Sequence, residues 1–248
     1  MKKLLVFVIL AGWVLFVSAQ EDKNTVTLER KNVLKFLPVN LPFQSLSFEF
    51  ERMINAKNSF TLGIGLPNQK SIVGKYGIDG SSDLKTAEFG TMHLRAAYRH
   101  YTGKNVLPRG FYIEPYLKYQ EIKGAASISG TDSQTNLPYK GDLNAKLNTM
   151  NVGLQFGAQF LIGKRISLDF YFLGLEAGLL SGNATAVTNA PTDAINIADD
   201  INKAKNDNLP AFIADKITVT QTGNQVNAKV SSVPYPWIRG GISIGFAF

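Results

Sequence analysis

The chain of 248 residues contains no cysteine. That absence excludes a disulfide framework, and it excludes a lipid-modified cysteine at a processed N-terminus. Histidine is scarce, with only His93 and His100. Seven residues apart on one strand they fall on opposite faces, so they cannot share a metal ion or a substrate. No apolar run beyond Val17 approaches 18 residues, so no transmembrane helix is expected after it. Basic residues outnumber acidic ones, 26 to 19, yet nowhere do five or six stand in a row. Nucleic-acid binding therefore finds no support. Any membrane span has to be built from strands, because only helices and closed barrels satisfy every backbone group in lipid.

What is present begins with Lys2-Lys3, an apolar stretch from Leu4 to Val17, and Val17-Ser18-Ala19 before Gln20-Glu21-Asp22. A positive start, a short apolar stretch and small residues at a cleavage site predict a secretory signal peptide over residues 1–19. Its removal takes away Lys2 and Lys3 and no acid, leaving 24 Lys+Arg against 19 Asp+Glu, or +5.

Period-two alternation then predicts eight strands. "NVLKFL" (32–37) is a weak first strand cut short by Pro38 and Pro42. "SLSFEFER" (45–52) puts Leu46, Phe48 and Phe50 opposite Glu49 and Glu51, and "SFTLGIGL" (59–66) sets Phe60, Leu62, Ile64 and Leu66 opposite Thr61, Gly63 and Gly65. "MHLRAAYRHY" (92–101) and "FYIEPYLKY" (111–119) follow, then the clearest case, "MNVGLQFGAQF" (150–160). "ISLDFYF" (166–172) and "IRGGISIGFAF" (238–248) complete the set. Pro115 falls inside the fifth strand, where a closed barrel has no free edge for a residue without an N–H, so a bulge or a shortened strand is expected there.

The connections give an independent signal. Those at 54–58, 102–109 and 161–165 are short, whereas those at 67–89, 122–146 and 181–236 are long. Transmembrane barrels combine tight inner turns with long outer loops in this way. Parity alone does not say which face is which, since a lipocalin-type soluble barrel points its apolar residues inward. The signal peptide, the loop asymmetry and the aromatic placement favour the membrane arrangement. Tyr98, Phe111, Phe160, Phe246 and Phe248 share the apolar face near one end of their strands, as an interfacial girdle requires.

The terminal alternation of Ile242, Ile244, Phe246 and Phe248 resembles the C-terminal signal of bacterial outer-membrane proteins. Over its whole processed length the chain resembles small eight-stranded outer-membrane barrels such as the OmpA membrane domain, OmpX and OmpW. The resemblance implies an all-β, up-and-down antiparallel transmembrane barrel at 32–248, preceded by a periplasmic segment at 20–31 and with both termini in the periplasm. It implies contact with outer-membrane lipid and lipopolysaccharide. It also implies recognition of the last strand by the barrel-assembly machinery, through strand augmentation. It says little about activity, since one barrel fold hosts many functions.

If the apolar face meets lipid, the interior holds Lys35, Glu49, Glu51, His93, Arg95, Arg99, Glu114, Lys118, Asp169 and Arg239. Eight strands leave room for little more than side chains, so these charges are expected to pair into an ionic plug. Leaving His93 aside, five bases meet four acids. No histidine stands at a recognisable spacing from a serine or aspartate, and Glu49 and Glu51 read as ion-paired rather than catalytic. Neither an enzyme, a cofactor nor a metal is expected. The long 181–236 connection is expected to hold a helix from Pro191, with Ile195, Ala198 and Ile201 along one side, and a hairpin turning at Gly223-Asn224. The function expected is non-enzymatic, with outer loops serving adhesion, envelope stabilisation or an unidentified surface partner. The alternative is a narrow channel for small or hydrophobic molecules.

Overall fold

A computed structural model of the chain describes residues 30–71, 73, 84–102, 108–131, 138–189 and 197–248. The expected signal peptide, residues 20–29 and the expected helix start at Pro191 lie outside the described residues. The strands are β1 (Asn32–Phe36), β2 (Ser45–Met53), β3 (Asn58–Pro67), β4 (Lys70–Ser71), β5 (Leu84–Tyr101), β6 (Gly110–Thr131), β7 (Pro138–Ile162), β8 (Ile166–Thr188), β9 (Ile217–Thr222) and β10 (Gln225–Ala247). Two helices, α1 (Ile197–Asn208) and α2 (Ala211–Ala214), lie between β8 and β9, and a 3-10 turn at Pro38–Asn40 follows β1.

Eight of these strands form one antiparallel ring in the order β1-β2-β3-β5-β6-β7-β8-β10, closed by β1 pairing with β10. The closing register sets Val33 against Ala247, Leu34 against Phe246, Lys35 against Gly245 and Phe36 against Ile244. Phe248 is held as well: its N–H donates to Asn32 O at 2.9 Å, and Asn32 N–H donates to Phe248 O at 3.1 Å. The first strand thus pins the backbone of Phe248.

Tight turns join the strands where the sequence forecasts them. Gly163 (φ 58°) and Lys164 (φ 62°) both adopt left-handed backbone, and Arg165 N–H donates to Ile162 O at 3.2 Å. Two successive positive φ values match the right-handed twist of the flanking strands. At the β9–β10 hairpin, Thr222 pairs with Gln225 across Gly223-Asn224.

Side-chain exposure decides which face is which. Phe111, Met150 and Leu62 are 64%, 62% and 61% exposed, whereas Glu51, Glu114 and Gln159 are fully buried within 1%. Apolar residues point out and charged ones in, the reverse of a soluble ligand-binding barrel. Among the terminal residues Ile244, Phe246 and Phe248 point outward and exposed, and Ile242 is half-buried on the same face.

Two expectations about strands are corrected. Pro115 causes neither a bulge nor a shortened strand. The β5–β6 pairing skips 98–115 and 99–114 but keeps one register on both sides, Ala97 with Tyr116 and His100 with Ile113. A residue of an antiparallel strand directs its N–H to one neighbour only, so Pro115 still pairs with Leu154 of β7. Secondly, most of the expected long loop at 122–146 is strand, and β8 and β10 extend well into the one at 181–236. β6 and β7 stay paired from Gly110–Gln159 up to Thr131–Pro138, and β8 pairs with β10 as far as Val187–Gln225.

The ring is consequently lopsided. β1, β2 and β3 have 5, 9 and 10 residues, whereas β5, β6, β7, β8 and β10 have 18, 22, 25, 23 and 23. Above the complete ring the five long strands continue as a wall, with β9 added to β10 at its top. Polarity reverses there. On β6, β7 and β8 the outward residues change from apolar to polar between Tyr119 and Glu121, Met150 and Asn148, and Leu179 and Ser181, three pairs in register. Higher still, Lys123, Lys146 and Asn183 point outward while Ile122 and Leu147 point inward.

The absence of cysteine allows ring closure to be tested directly. Leu34→Cys with Phe246→Cys faces two thiols across the β1–β10 seam and is expected to form an intramolecular disulfide on mild oxidation. The pair Leu34→Cys with Phe170→Cys, one strand further round, is expected not to. The non-reducing gel mobility of the two double variants reports the outcome.

Candidate functional site

The interior of the ring is built by parity. Every second residue of each strand points inward, and on β2, β5 and β6 those residues include Glu49, Glu51, Arg95, Arg99, Glu114 and Lys118. Nearest the short turns, Met53, Tyr101 and Tyr112 pack together, the two rings edge to face at 5.9 Å. Above them lies the densest charge. Lys35 Nζ sits 2.8 Å from both Glu51 Oε2 and Asp169 Oδ2, 3.5 Å from Glu49 Oε1, and donates to Gln159 Oε1 at 2.7 Å. Arg99 bonds Glu114 through Nε, Asp169 Oδ2 through Nη1 at 2.8 Å, and Gln159 Oε1 at 2.6 Å. Arg95 pairs with Glu49 Oε2 at 2.7 Å and with Glu114.

Neutral donors complete the shells. Tyr101 and Ser59 hydroxyls each donate to Glu51 Oε1 at 2.6 Å, and Tyr112 OH donates to Asp169 Oδ1 at 2.7 Å. Buried carboxylates are tolerable only when so surrounded. The guanidinium groups also stack: Arg99 lies 3.7 Å over the Tyr112 ring and Arg95 4.5 Å over Tyr116. These tyrosines need room on the neighbouring strand. A Cβ at Gly157 would come within 2.3 Å of Tyr112 Oη, and one at Gly153 within 2.3 Å of Tyr116 Cζ. The alternating glycines of β7 are therefore seats for rings from β6.

All ten charged residues expected inside do face the interior. Eight are buried, and His93 and Arg239 are half-buried at the upper end. His100 is on the outer face, where its Nδ1 lies 2.7 Å from Asn58 Oδ1.

Sequence reasoning missed Glu176. It is 4% exposed, pairs with Lys118 Nζ at 2.5 Å, and accepts a hydrogen bond from Tyr116 OH at 2.9 Å. With it, five bases meet five acids. The reason for the miss is a β-bulge. β8 carries one more residue than either neighbour near Phe172, where Leu173 pairs with Phe156 but Tyr171 pairs with Gly157. Ser167, Asp169 and Tyr171 face inward before the bulge, and Gly174 and Glu176 face inward after it. The signal was present: adjacent apolar Phe172 and Leu173 interrupt a strict alternation and restart it in the opposite phase.

The upper element is also only partly as expected. Ala198 of α1 is buried against Val219 and Val226, but Ile201 is 41% exposed and Ile195 lies outside the described residues. The helix docks on β9 through polar groups instead: Lys205 Nζ donates to Ile217 O at 2.9 Å and Asn202 Nδ2 to Val219 O at 3.3 Å.

Chemically, this interior is a network of paired charges. Each carboxylate is engaged by a cation or by hydroxyl donors. Among the described residues no three His, Cys, Asp or Glu side chains come together as a metal site. Comparison with known protein families, curated proteins and solved structures finds no match for this chain.

Arg99→Met leaves Glu114 and Asp169 each short of a buried counter-charge. It is expected to lower unfolding free energy by about 3–5 kcal/mol, measured by denaturant titration of circular dichroism. Deleting Phe172 joins inward Tyr171 to outward Leu173 and keeps Glu176 inward in strict alternation. The folded state is expected to survive that deletion and to be lost on deleting Leu175, which turns Glu176 to the outer face; circular dichroism of the two variants reports the outcome.

Proposed function

We propose that this chain is a non-enzymatic integral protein of the bacterial outer membrane. Its ring sits in the bilayer, and its long-strand wall and α1–β9 element present a surface for adhesion, envelope stabilisation or partner binding. The observation that carries the reading is the outward apolar band with a sharp polar edge. Along β7 it runs from Ile162 to Met150, which at about 3.3 Å per residue and the usual barrel tilt is roughly 30 Å, a hydrocarbon thickness. Below the edge, water is kept from the outer face and charge is confined within; above it, Glu121 pairs with Lys146 at 2.9 Å and Lys123 at 3.0 Å on the outside.

On this reading lipid and lipopolysaccharide surround the band, and both termini are periplasmic. Ile242, Ile244, Phe246 and Phe248 then offer the assembly machinery an alternating strand. A conduit through the ring is the less favoured alternative. Arg99, Gln155 and Gln159 are among the largest fully buried side chains, so conduction requires the plug to part.

Two measurements test the proposal. Protease added to intact cells is expected to cut within 190–208 and leave the ring-forming strands whole. A chain recovered from the soluble periplasm and cut only after lysis overturns membrane placement. Deleting Phe248 is expected to reduce the outer-membrane level several-fold and leave aggregated precursor in the periplasm; unchanged insertion refutes the assembly role of the terminus.

A further inference from the structure

Directly above the ionic plug lies a cavity of about 320 Å³, at the small end of the range for ligand sites. Its base carries the cations Lys118 and Arg239 beside the His93 imidazole, and its walls are apolar and aromatic, with Phe89, Ile122 and Trp237 prominent. None of its lining residues is acidic. Lys118 has its charge matched by Glu176 at 2.5 Å. Arg239 differs from every other interior cation. Among the described residues it has no carboxylate within ion-pair distance, and its guanidinium lies over the rings of Tyr171 at 4.8 Å and Tyr116 at 5.5 Å.

The cavity adjoins an open stretch of strand edge. β10 is covered on its β1-facing edge by β9 at residues 225–230 and by β1 at 244–247. Between these stretches no described strand pairs with that edge. Pro234 and Pro236 lie in this interval, two residues apart, so the N–H groups they lack would have pointed the same way. The register with β8 nevertheless runs unbroken from Val233 to Arg239. Proline is tolerated at such an open edge and prevents another strand from adding there. The cavity lining includes both inward Arg239 and outward Ile238, so it reaches around the edge to the upper limit of the apolar band.

We infer that this cavity binds a single-chain anionic amphiphile, with its carboxylate or phosphate head on Arg239 and its apolar body between Trp237, Phe89 and Ile122. Charge complementarity selects the head, because an unmatched guanidinium on aromatic rings favours an oxyanion. The volume selects one chain rather than two. The inference stands on the cavity's own geometry and not on where the chain resides.

The test uses the only two tryptophans, Trp13 and Trp237. In full-length Trp13→Phe protein folded in zwitterionic detergent, Trp237 emission reports occupancy. Decanoate or decyl phosphate is expected to shift that emission saturably, with decanol at least roughly tenfold weaker and acetate inert. Arg239→Gln is expected to weaken the anion by roughly 10- to 100-fold, and Arg239→Lys to retain most of the affinity, separating loss of charge from loss of fold. No saturable shift with either anion, decanol equal to decanoate, or Arg239→Gln equal to the parent overturns the inference. Outer-membrane protein that fails to bind overturns this site alone; binding by a chain found elsewhere in the cell overturns the membrane reading alone.

Discussion

The structure depends on Arg99. From β5 it reaches Glu49 and Glu51 on β2, Glu114 on β6, Gln159 on β7 and Asp169 on β8. Lys35, on the five-residue β1, reaches β2, β7 and β8 in the same layer. Two cations thus tie together six of the eight ring strands through their side chains. Backbone pairing joins each strand only to its neighbours, whereas these bonds cross the bore. A single buried guanidinium with several acceptors is costly to desolvate and still more costly to strand without partners, so the ring and its contents are stable only together.

That requirement explains features that look unrelated. The bulge at Phe172 delivers Glu176 to Lys118 and brings the charges into balance. The glycines of β7 let tyrosines lie flat so that their hydroxyls meet Asp169 and Glu176 and their faces meet Arg95 and Arg99. The short β1 suffices to close the ring because Lys35 anchors it from within and Phe248 clasps Asn32 at its end. Inward polarity and outward apolarity are two results of one alternation, which is why the pattern is so regular below the polar edge.

The same alternation determined what could be read in advance. Strand positions, their facing residues, the Gly163 and Gly223 turns and ten interior charges are legible because large apolar and charged residues alternate without ambiguity. Above the edge both faces carry small or mildly polar residues, as in Gly124-Ala125-Ala126-Ser127. Period two then leaves little trace, and continuous strand resembles loop. Glu176 was hidden for a different reason, since one inserted residue reverses every assignment beyond it. The partnership of β1 with β10, more than two hundred residues apart, is a property of the closed ring and of no local window.

The cut-away side of the wall has a directional consequence. Five tall strands screen the space above the plug on one flank, and three short ones leave it open on the other. Anything approaching along the surface meets a shield from most bearings and an entrance from one. Access to the space above the plug is thus set by bearing alone and requires no moving part.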